Sequence, residues 1–99
     1  MIGLRKLEVL RESYDDDPAL DQILGKLFDV VLDQQRARLT RYDRDLRDFE
    51  TCYQMTSPVF YQRFEAGTLG DAADFFEWAG LYELRQELAA KVQRLELAA

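Results

Sequence analysis

Histidine is absent from this chain and cysteine occurs once, at Cys52, so several common kinds of enzyme chemistry are excluded. Without histidine there is no histidine general base, no Ser-His-Asp or Cys-His arrangement and no zinc site of the usual Cys/His kind. A disulfide within the chain is impossible. No base lies near Cys52 in the sequence, and we interpret this residue as a small, partly buried apolar side chain. We therefore predict that the protein is not an enzyme, with no catalytic residue and no cofactor.

Carboxylates are the remaining candidates for chemistry. Asp71, Asp74 and Glu77 recur every three residues, a spacing that carboxylate ligands of magnesium could use. Helical spacing alone does not close a metal shell, and metal-binding helical bundles usually add histidine or paired acidic motifs on facing helices. We interpret Asp71 as the N-cap of a helix, with Asp74 completing an imperfect capping box. We predict no metal site.

The net charge is −6, and it is unevenly distributed. Residues 34–47 have a local charge of +3, from five arginines against two aspartates, and the segments before and after them are acidic, at −4 and −5. The arginines of this band, at 36–47, are Arg36, Arg38, Arg41, Arg44 and Arg47. A basic band framed by acidic ends is a poor footprint for nucleic-acid binding. We interpret it as a solvated helix face, in which Arg41 pairs with Asp45 and Arg44 with Asp48.

The stretch 18–53 carries a helical apolar pattern over 36 residues, with no proline after Pro18. Asp17 is the expected N-cap and Pro18 the first helical residue. A helix of this length would measure roughly 54 Å. The rest of a 99-residue chain cannot cover such a helix. We therefore expect it to pack against a second copy of the chain or against another protein.

Three shorter helices are predicted around this long one, at 2–14, 58–66 and 72–97. Ser57 is the expected N-cap of the middle one and Pro58 its first residue. The two long helices then form a hairpin with a short helix at the bend, and two hairpins would pair into a dimeric four-helix bundle. The predicted fold is all-α, with the whole chain, 1–99, as a single domain.

The apolar face changes along the long helix. Its first half has a broad face, as expected for a helix buried on more than one side, and the residues are Leu20, Ile23, Leu24, Leu27, Phe28 and Val31. In the second half of the helix the apolar face narrows to a heptad seam, which predicts packing against a partner helix. The seam residues are Leu39, Tyr42, Leu46, Phe49 and Tyr53.

The last helix carries a dense aromatic cluster that could anchor a partner. Phe75 and Phe76 cannot both face inward on one narrow stripe, so one of them should lie at the edge of an interface. We predict a dimer or partner interface formed by Leu39, Tyr42, Leu46, Phe49, Phe75, Phe76, Trp78 and Tyr82.

Two glycines lie inside predicted helices. Gly25 and Gly80 destabilise those helices by about 1 kcal/mol each relative to alanine. We expect close approach of another helix, or a bend, as the compensation.

Residues 40–85, about half of the chain, resemble short helical proteins of bacteria and archaea. The resemblance rests on Asp48 to Ser57 (DFETCYQMTS), Phe60 with Phe64, Gly67 to Asp71 (GTLGD) and Asp74 to Trp78 (DFFEW). The family pattern is Tyr-Gly-Met-Ser, a Phe-x-x-x-Phe pair, Gly-x-Leu-Gly-Asp and then Glu-Trp. Gln54 stands where that pattern has glycine. Such proteins look like antitoxin-type partners encoded beside small toxin genes, and the resemblance carries no catalytic residue over.

The prediction that combines these observations is a non-enzymatic helical interaction module, homodimeric and antitoxin-like, whose acidic surface and aromatic edge cover and inhibit a basic toxin protein. The N-terminal charges and the lack of a long apolar run predict a cytoplasmic protein without a membrane partner. One alternative is a metal-dependent nucleotide hydrolase that uses carboxylates alone. A second is a DNA-binding regulator that uses the arginine band at 36–47.

Overall fold

The computed structural model describes residues 2–13 and 18–98, and within them all regular secondary structure is helical. The helices are α1 (Ile2–Ser13), α2 (Pro18–Tyr53), α3 (Ser57–Glu65) and α4 (Ala73–Ala98). The all-α class is confirmed, as is the order of a long helix, a short helix and a second long helix. The predicted end of the first helix at Tyr14 and the predicted cap at Asp17 lie outside the described residues.

The described residues group into two compact units that divide after Asp33, and each is described by itself. In the first unit, α2 buries Leu20 and Leu32 and half-buries Leu24 and Phe28. These four side chains recur every four residues and therefore lie along one side of the helix.

The second unit is a helical hairpin made by the last part of α2, by α3 and by α4. From the bend outwards, the contacts between α2 and α4 join Tyr53 with Asp74, Phe49 with Trp78, Asp43 with Arg85 and Arg36 with Glu96. Residue numbers fall along α2 as they rise along α4, so the two helices are antiparallel. The predicted long-helix hairpin with α3 at its bend is therefore confirmed.

The core of the hairpin lies at the bend and is mostly aromatic. Trp78 and Phe60 are both 0% exposed, and their rings stack with centroids 3.7 Å apart and planes 4° apart. Phe49 also stacks with Trp78, at 5.5 Å, and Leu46 is buried in the same cluster. The indole N–H of Trp78 donates a hydrogen bond of 3.0 Å to the buried hydroxyl of Ser57. The one polar atom of the indole is therefore satisfied inside the core.

The C-terminus of α2 turns through a residue with a left-handed backbone. Gln54 has φ 55°, and the N–H of Met55 donates to the carbonyl of Glu50 at 3.2 Å, as in a Schellman motif. The Gln54 side chain donates through Nε2 to the carbonyl of Thr51 at 2.8 Å. Gln54 thus occupies a position whose backbone conformation favours glycine.

Helix α3 also ends at a residue with a left-handed backbone, but here that residue is a glycine. Gly67 has φ 70°, its N–H donates to the carbonyl of Phe64 at 3.1 Å, and the N–H of Thr68 donates to the carbonyl of Arg63 at 3.2 Å. These two bonds complete a Schellman motif.

The start of α3 differs from the prediction, which placed Ser57 at the N-cap. Thr56 is the N-cap, with its carbonyl accepting from the N–H of Phe60, and the helix begins at Ser57, one residue before the predicted start. The Ser57 hydroxyl is engaged by Trp78, and the Ser57 N–H donates to Oε2 of Glu50 at 2.6 Å. The carboxylate of Glu50 thus supplies the favourable negative charge at this helix end.

Helix α4 begins at Ala73, one residue after the predicted start. Asp74, predicted to complete a capping box with Asp71, instead accepts a hydrogen bond of 2.5 Å from the hydroxyl of Tyr53. Its carboxylate therefore ties the first turn of α4 to the last turn of α2.

Candidate protein-interaction surfaces

The predicted interface residues occupy three different environments in the second unit. Leu46 and Trp78 are buried, and Phe76 is exposed. The half-buried members are Leu39, Tyr42, Phe49, Phe75 and Tyr82. Most of this set therefore contributes to closing the hairpin, and Phe76 is the member with the most surface to offer a partner.

The consecutive phenylalanines of α4 point in different directions. Phe75 packs on the core, with its ring centroid 5.8 Å from that of Phe60 and 5.3 Å from that of Tyr53. Phe76 is 59% exposed and meets Phe64 edge-on at 5.4 Å. Neighbouring residues on a helix are about 100° apart, so only one of the two can follow the buried stripe.

A groove of about 730 Å³ runs along the hairpin between α2 and α4. Its apolar lining consists of Phe49, Cys52, Phe76, Gly80, Leu81 and Leu84. Its charged lining consists of Asp45, Asp48, Asp74 and Glu77. All charged residues that line it are acidic, and we refer to it below as the acidic groove.

The carboxylates of the acidic groove form no ion pair with an arginine or lysine of the described residues. The ion pairs of the hairpin include Arg36 with Glu96, at 3.6 Å, and Arg85 with Asp43, at 2.8 Å, neither of which involves a carboxylate of the groove. The predicted pairs of Arg41 with Asp45 and of Arg44 with Asp48 are wrong. Such exposed pairs gain little Coulomb energy in water and must order two side chains, so their absence is physically reasonable.

Negative charge also acts on the tyrosines of the hairpin. The hydrogen bond from Tyr53 to Asp74 raises the pKa of Tyr53 from 10.0 to about 12, because the phenolate would lose this bond and lie against a carboxylate. The pKa of Tyr61 is raised for the same reason, mainly by its bond of 2.6 Å to Glu83.

Cys52 and Gly80 both differ from their predicted environments. Cys52 is exposed rather than partly buried, because it lies beside the seam residue Tyr53 and on the groove side of α2. A Cβ placed on Gly80 or on Gly25 would meet nothing within 4 Å. Among the described residues, the close approach of another helix that we expected at these glycines is therefore absent.

A second, smaller groove of about 450 Å³ is also lined by residues of α2 and α4. Its charged lining is mixed, with Arg47 and Arg85 beside Asp43 and Glu50. Its charges compensate one another, which distinguishes it from the acidic groove.

The first half of α2 exposes large apolar side chains. Those of Ile23, Leu27, Val30 and Val31 are between 42% and 54% exposed. We call these four residues the uncovered face. Their spacing of four, three and one places them together on one side of the helix. This side is adjacent to the side on which the buried residues Leu20 and Leu32 lie.

The arginine band does not form one continuous surface. All five arginines are exposed, and among them Arg36 pairs with Glu96. Steps of two and three residues turn these side chains progressively around α2 rather than along one face.

Two other kinds of feature are absent from the described residues. Among them, no group of three or more histidine, cysteine, aspartate or glutamate side chains is arranged to hold a metal ion. None of the helices in the described part of the chain combines the length and the apolar character that a membrane span requires.

Three acidic residues that organise the hairpin were missed by sequence reasoning. Glu50 bonds the start of α3, Glu83 accepts from Tyr61, and Asp43 accepts from Arg85, with partners 7, 22 and 42 residues away in the sequence. In each pair the two partners lie on different helices, so the spacing of neighbours within one helix offers no signal for them.

Comparison of the chain with protein-family models, with curated proteins and with solved structures gives no match.

Proposed function

We propose that this protein is a non-enzymatic helical interaction module, which forms a homodimer and acts as an antitoxin-like inhibitor of a basic partner toxin. The observation that carries the proposal is the uncovered face of α2, where four large aliphatic side chains stay about half exposed.

Burial of the uncovered face would provide the energy for association. Complete burial of one such side chain contributes about 1.5–3 kcal/mol relative to full exposure, so completing the burial of four half-exposed ones is worth several kcal/mol before the entropy of association is subtracted. Exposed apolar patches on otherwise charged proteins mark interaction sites.

The charges beside the uncovered face favour a second copy as its occupant. Lys26 and Asp29 lie on one flank of this stretch of α2 and have opposite signs. When two identical helices pack antiparallel around a two-fold axis, each flank faces the same flank of its partner. An axis near Leu27 would place Lys26 of one copy opposite Asp29 of the other.

The hairpin supplies the surface for the toxin. Its acidic groove presents carboxylates around apolar and aromatic side chains, with Phe76 and Leu84 both at least half exposed. A toxin that acts on nucleic acids or nucleotides needs cationic groups around its site, and a surface of opposite charge would steer association and fix its register. Occupying that site would block the toxin's substrate.

The homodimer is tested by sedimentation equilibrium on Leu27→Glu. We expect the wild-type chain to sediment as a dimer and the variant as a monomer, because a carboxylate would be buried at the interface. Leu97→Glu is the matched control, because Leu97 is more exposed than Leu27 and lies at the end of α4. A folded wild-type monomer at all concentrations, or loss of the dimer in both variants, would contradict the proposal.

The inhibitory role is tested by purifying the tagged protein from its native host. We expect a stoichiometric, basic protein to accompany it, and we expect added antitoxin-like chain to suppress the activity of that protein. A host preparation with no stoichiometric partner would remove the inhibitor part of the proposal.

A further inference from the structure

We propose that the acidic groove binds a cationic amphipathic helix of the partner protein, about three turns long, with its apolar stripe on the groove and its lysines or arginines on the carboxylates. This inference rests on the proposed function and names the part of the partner that is recognised.

Charge selects a cationic occupant. Asp45 and Asp48 line the α2 side of the groove and Glu77 the α4 side, and no lysine or arginine lines it. No arginine or lysine of the described residues forms an ion pair with any of these three carboxylates. An apolar segment flanked by positive charges therefore gains attraction at this groove, whereas an acidic segment meets like charge on both sides.

The dimensions and the donor inventory of the groove favour a helix over an extended peptide. The α4 side of the groove runs from Asp74 to Leu84, about 15 Å along the axis, which matches about ten residues of a partner helix. An extended peptide needs hydrogen-bond donors for its carbonyls, and the charged groups here are carboxylates, which only accept. A helix pairs its backbone N–H and carbonyl groups internally. It therefore needs only apolar contacts and opposite charge, both of which the groove supplies.

Gly80 gives the groove a place for close approach. It lies inside α4 and lines the groove, yet a Cβ built on it would meet, beyond its own turn of helix, no atom of the described residues within 4 Å. Alanine would therefore fit the free protein and strengthen the helix. A partner backbone passing directly over Gly80 explains the glycine, since a methyl group there would push that backbone away.

The test uses the full chain and three synthetic peptides of about 20 residues, a length at which helices begin to be stable. Each peptide has a leucine stripe at heptad spacing, and the flanking positions carry lysine, glutamine or glutamate. Fluorescence anisotropy of the labelled peptides measures affinity at low and at high salt. We expect the lysine peptide to bind, about tenfold or more tighter than the glutamine peptide, with an affinity that falls as salt screens the charges. The glutamate peptide should not bind.

Variants of the chain locate the binding. Glu77→Lys should weaken the lysine peptide about tenfold or more, while Glu87→Lys, the same change on an exposed residue of α4 outside the groove, should change it less than about twofold. Asp48→Lys repeats the test from the α2 side if Glu77→Lys does not fold by circular dichroism. Gly80→Ala should raise the melting temperature of the chain and at the same time weaken the peptide.

Equal affinity for the three peptides, equal effects of the two glutamate variants, or no binding of the lysine peptide would overturn the inference. Unchanged affinity in Gly80→Ala would overturn the close approach. A chain that dimerises and captures a host toxin but ignores the lysine peptide retains the proposed function and loses this inference. A chain that binds the lysine peptide in the groove but has no stoichiometric host partner loses the proposed function and retains the groove.

Discussion

The bend of the hairpin and the first half of α2 are both rich in apolar side chains, but they use them in opposite ways. At the bend, Phe60 and Trp78 are completely buried and stacked on each other. In the first half of α2, the side chains of Leu27 and Val30 remain more than half exposed. Apolar content alone therefore does not indicate which part of a helix is buried by contacts within its own chain.

The geometry of the connections between helices decides which of these side chains are buried. Two sharp helix ends, at Tyr53 and at Glu65, fold α3 and α4 back so that three helices converge on one indole ring. The described residues offer no comparable convergence at the uncovered face. We therefore expect packing at the bend to stabilise the single chain and the uncovered face to drive association.

Removing one large side chain from each region should change stability by very different amounts. Phe60→Ala should lower the free energy of unfolding by about 3–5 kcal/mol, because it opens a cavity beside Trp78. Leu27→Ala should change it by less than about 1 kcal/mol when the chain is dilute, because its surface is already in water. Denaturant unfolding at several protein concentrations measures both. Similar losses in the two variants under dilute conditions would contradict the comparison.

A smaller loss of stability is expected when the hydrogen bond of the buried indole N–H of Trp78 is removed. Ser57→Ala should destabilise the chain by about 1–3 kcal/mol, because the indole N–H of Trp78 would be buried without an acceptor. Thr56→Ala is the neighbouring control and should be nearly neutral, because the Thr56 side chain makes no capping hydrogen bond. Thermal unfolding of the two variants checks the difference, and a larger loss for Thr56→Ala would show that the capping assignment is wrong.

The two helix ends with left-handed residues should respond in opposite directions. Gln54→Gly should stabilise the chain by about 0.5–1 kcal/mol, because glycine adopts φ 55° without the steric penalty of a side chain. Gly67→Ala should destabilise it by about 1 kcal/mol for the converse reason. Paired melting curves test this, and a loss of stability in Gln54→Gly would mean that the bond of its side chain to Thr51 outweighs the backbone strain.

The smallest effect is a dependence on alkaline pH. The raised pKa of Tyr53 means that the folded chain holds this proton more tightly than the unfolded chain. Its contribution to stability is therefore complete below pH 10 and is lost as the pH rises towards about 12. Ultraviolet titration of tyrosinate should show a component near pH 12 that is missing in Tyr53→Phe and that moves to lower pH in Asp74→Asn. An unchanged titration in Asp74→Asn would rule out the hydrogen bond as the cause.

Much of the fold could be predicted because helices have local sequence signals, namely apolar periodicity and the residues at their ends. The 36-residue apolar pattern predicted α2 with both of its ends, since proline starts a helix well and the periodicity stops at Tyr53. The predicted starts of α3 and α4 are each one residue from the observed ones.

The site was less predictable because its decisive features are not local. The seam residues Leu46 and Phe49 were placed correctly on one side of α2, but only the folded hairpin shows that α4 covers that side. Asp45 and Asp48 lie on the same helix as the arginines, and sequence spacing predicted pairs that the structure does not form. The acidic groove depends on which carboxylates remain unpaired after folding, and no pattern of spacing encodes that.

The single tryptophan of this chain sits at the centre of the hairpin core. Its fluorescence is therefore a built-in reporter of the second unit alone, whereas far-ultraviolet circular dichroism averages over every helix. Melting curves recorded by the two methods would coincide if both units unfold together. An early loss of circular dichroism under unchanged emission would reveal α1 and the start of α2 unravelling ahead of an intact bend.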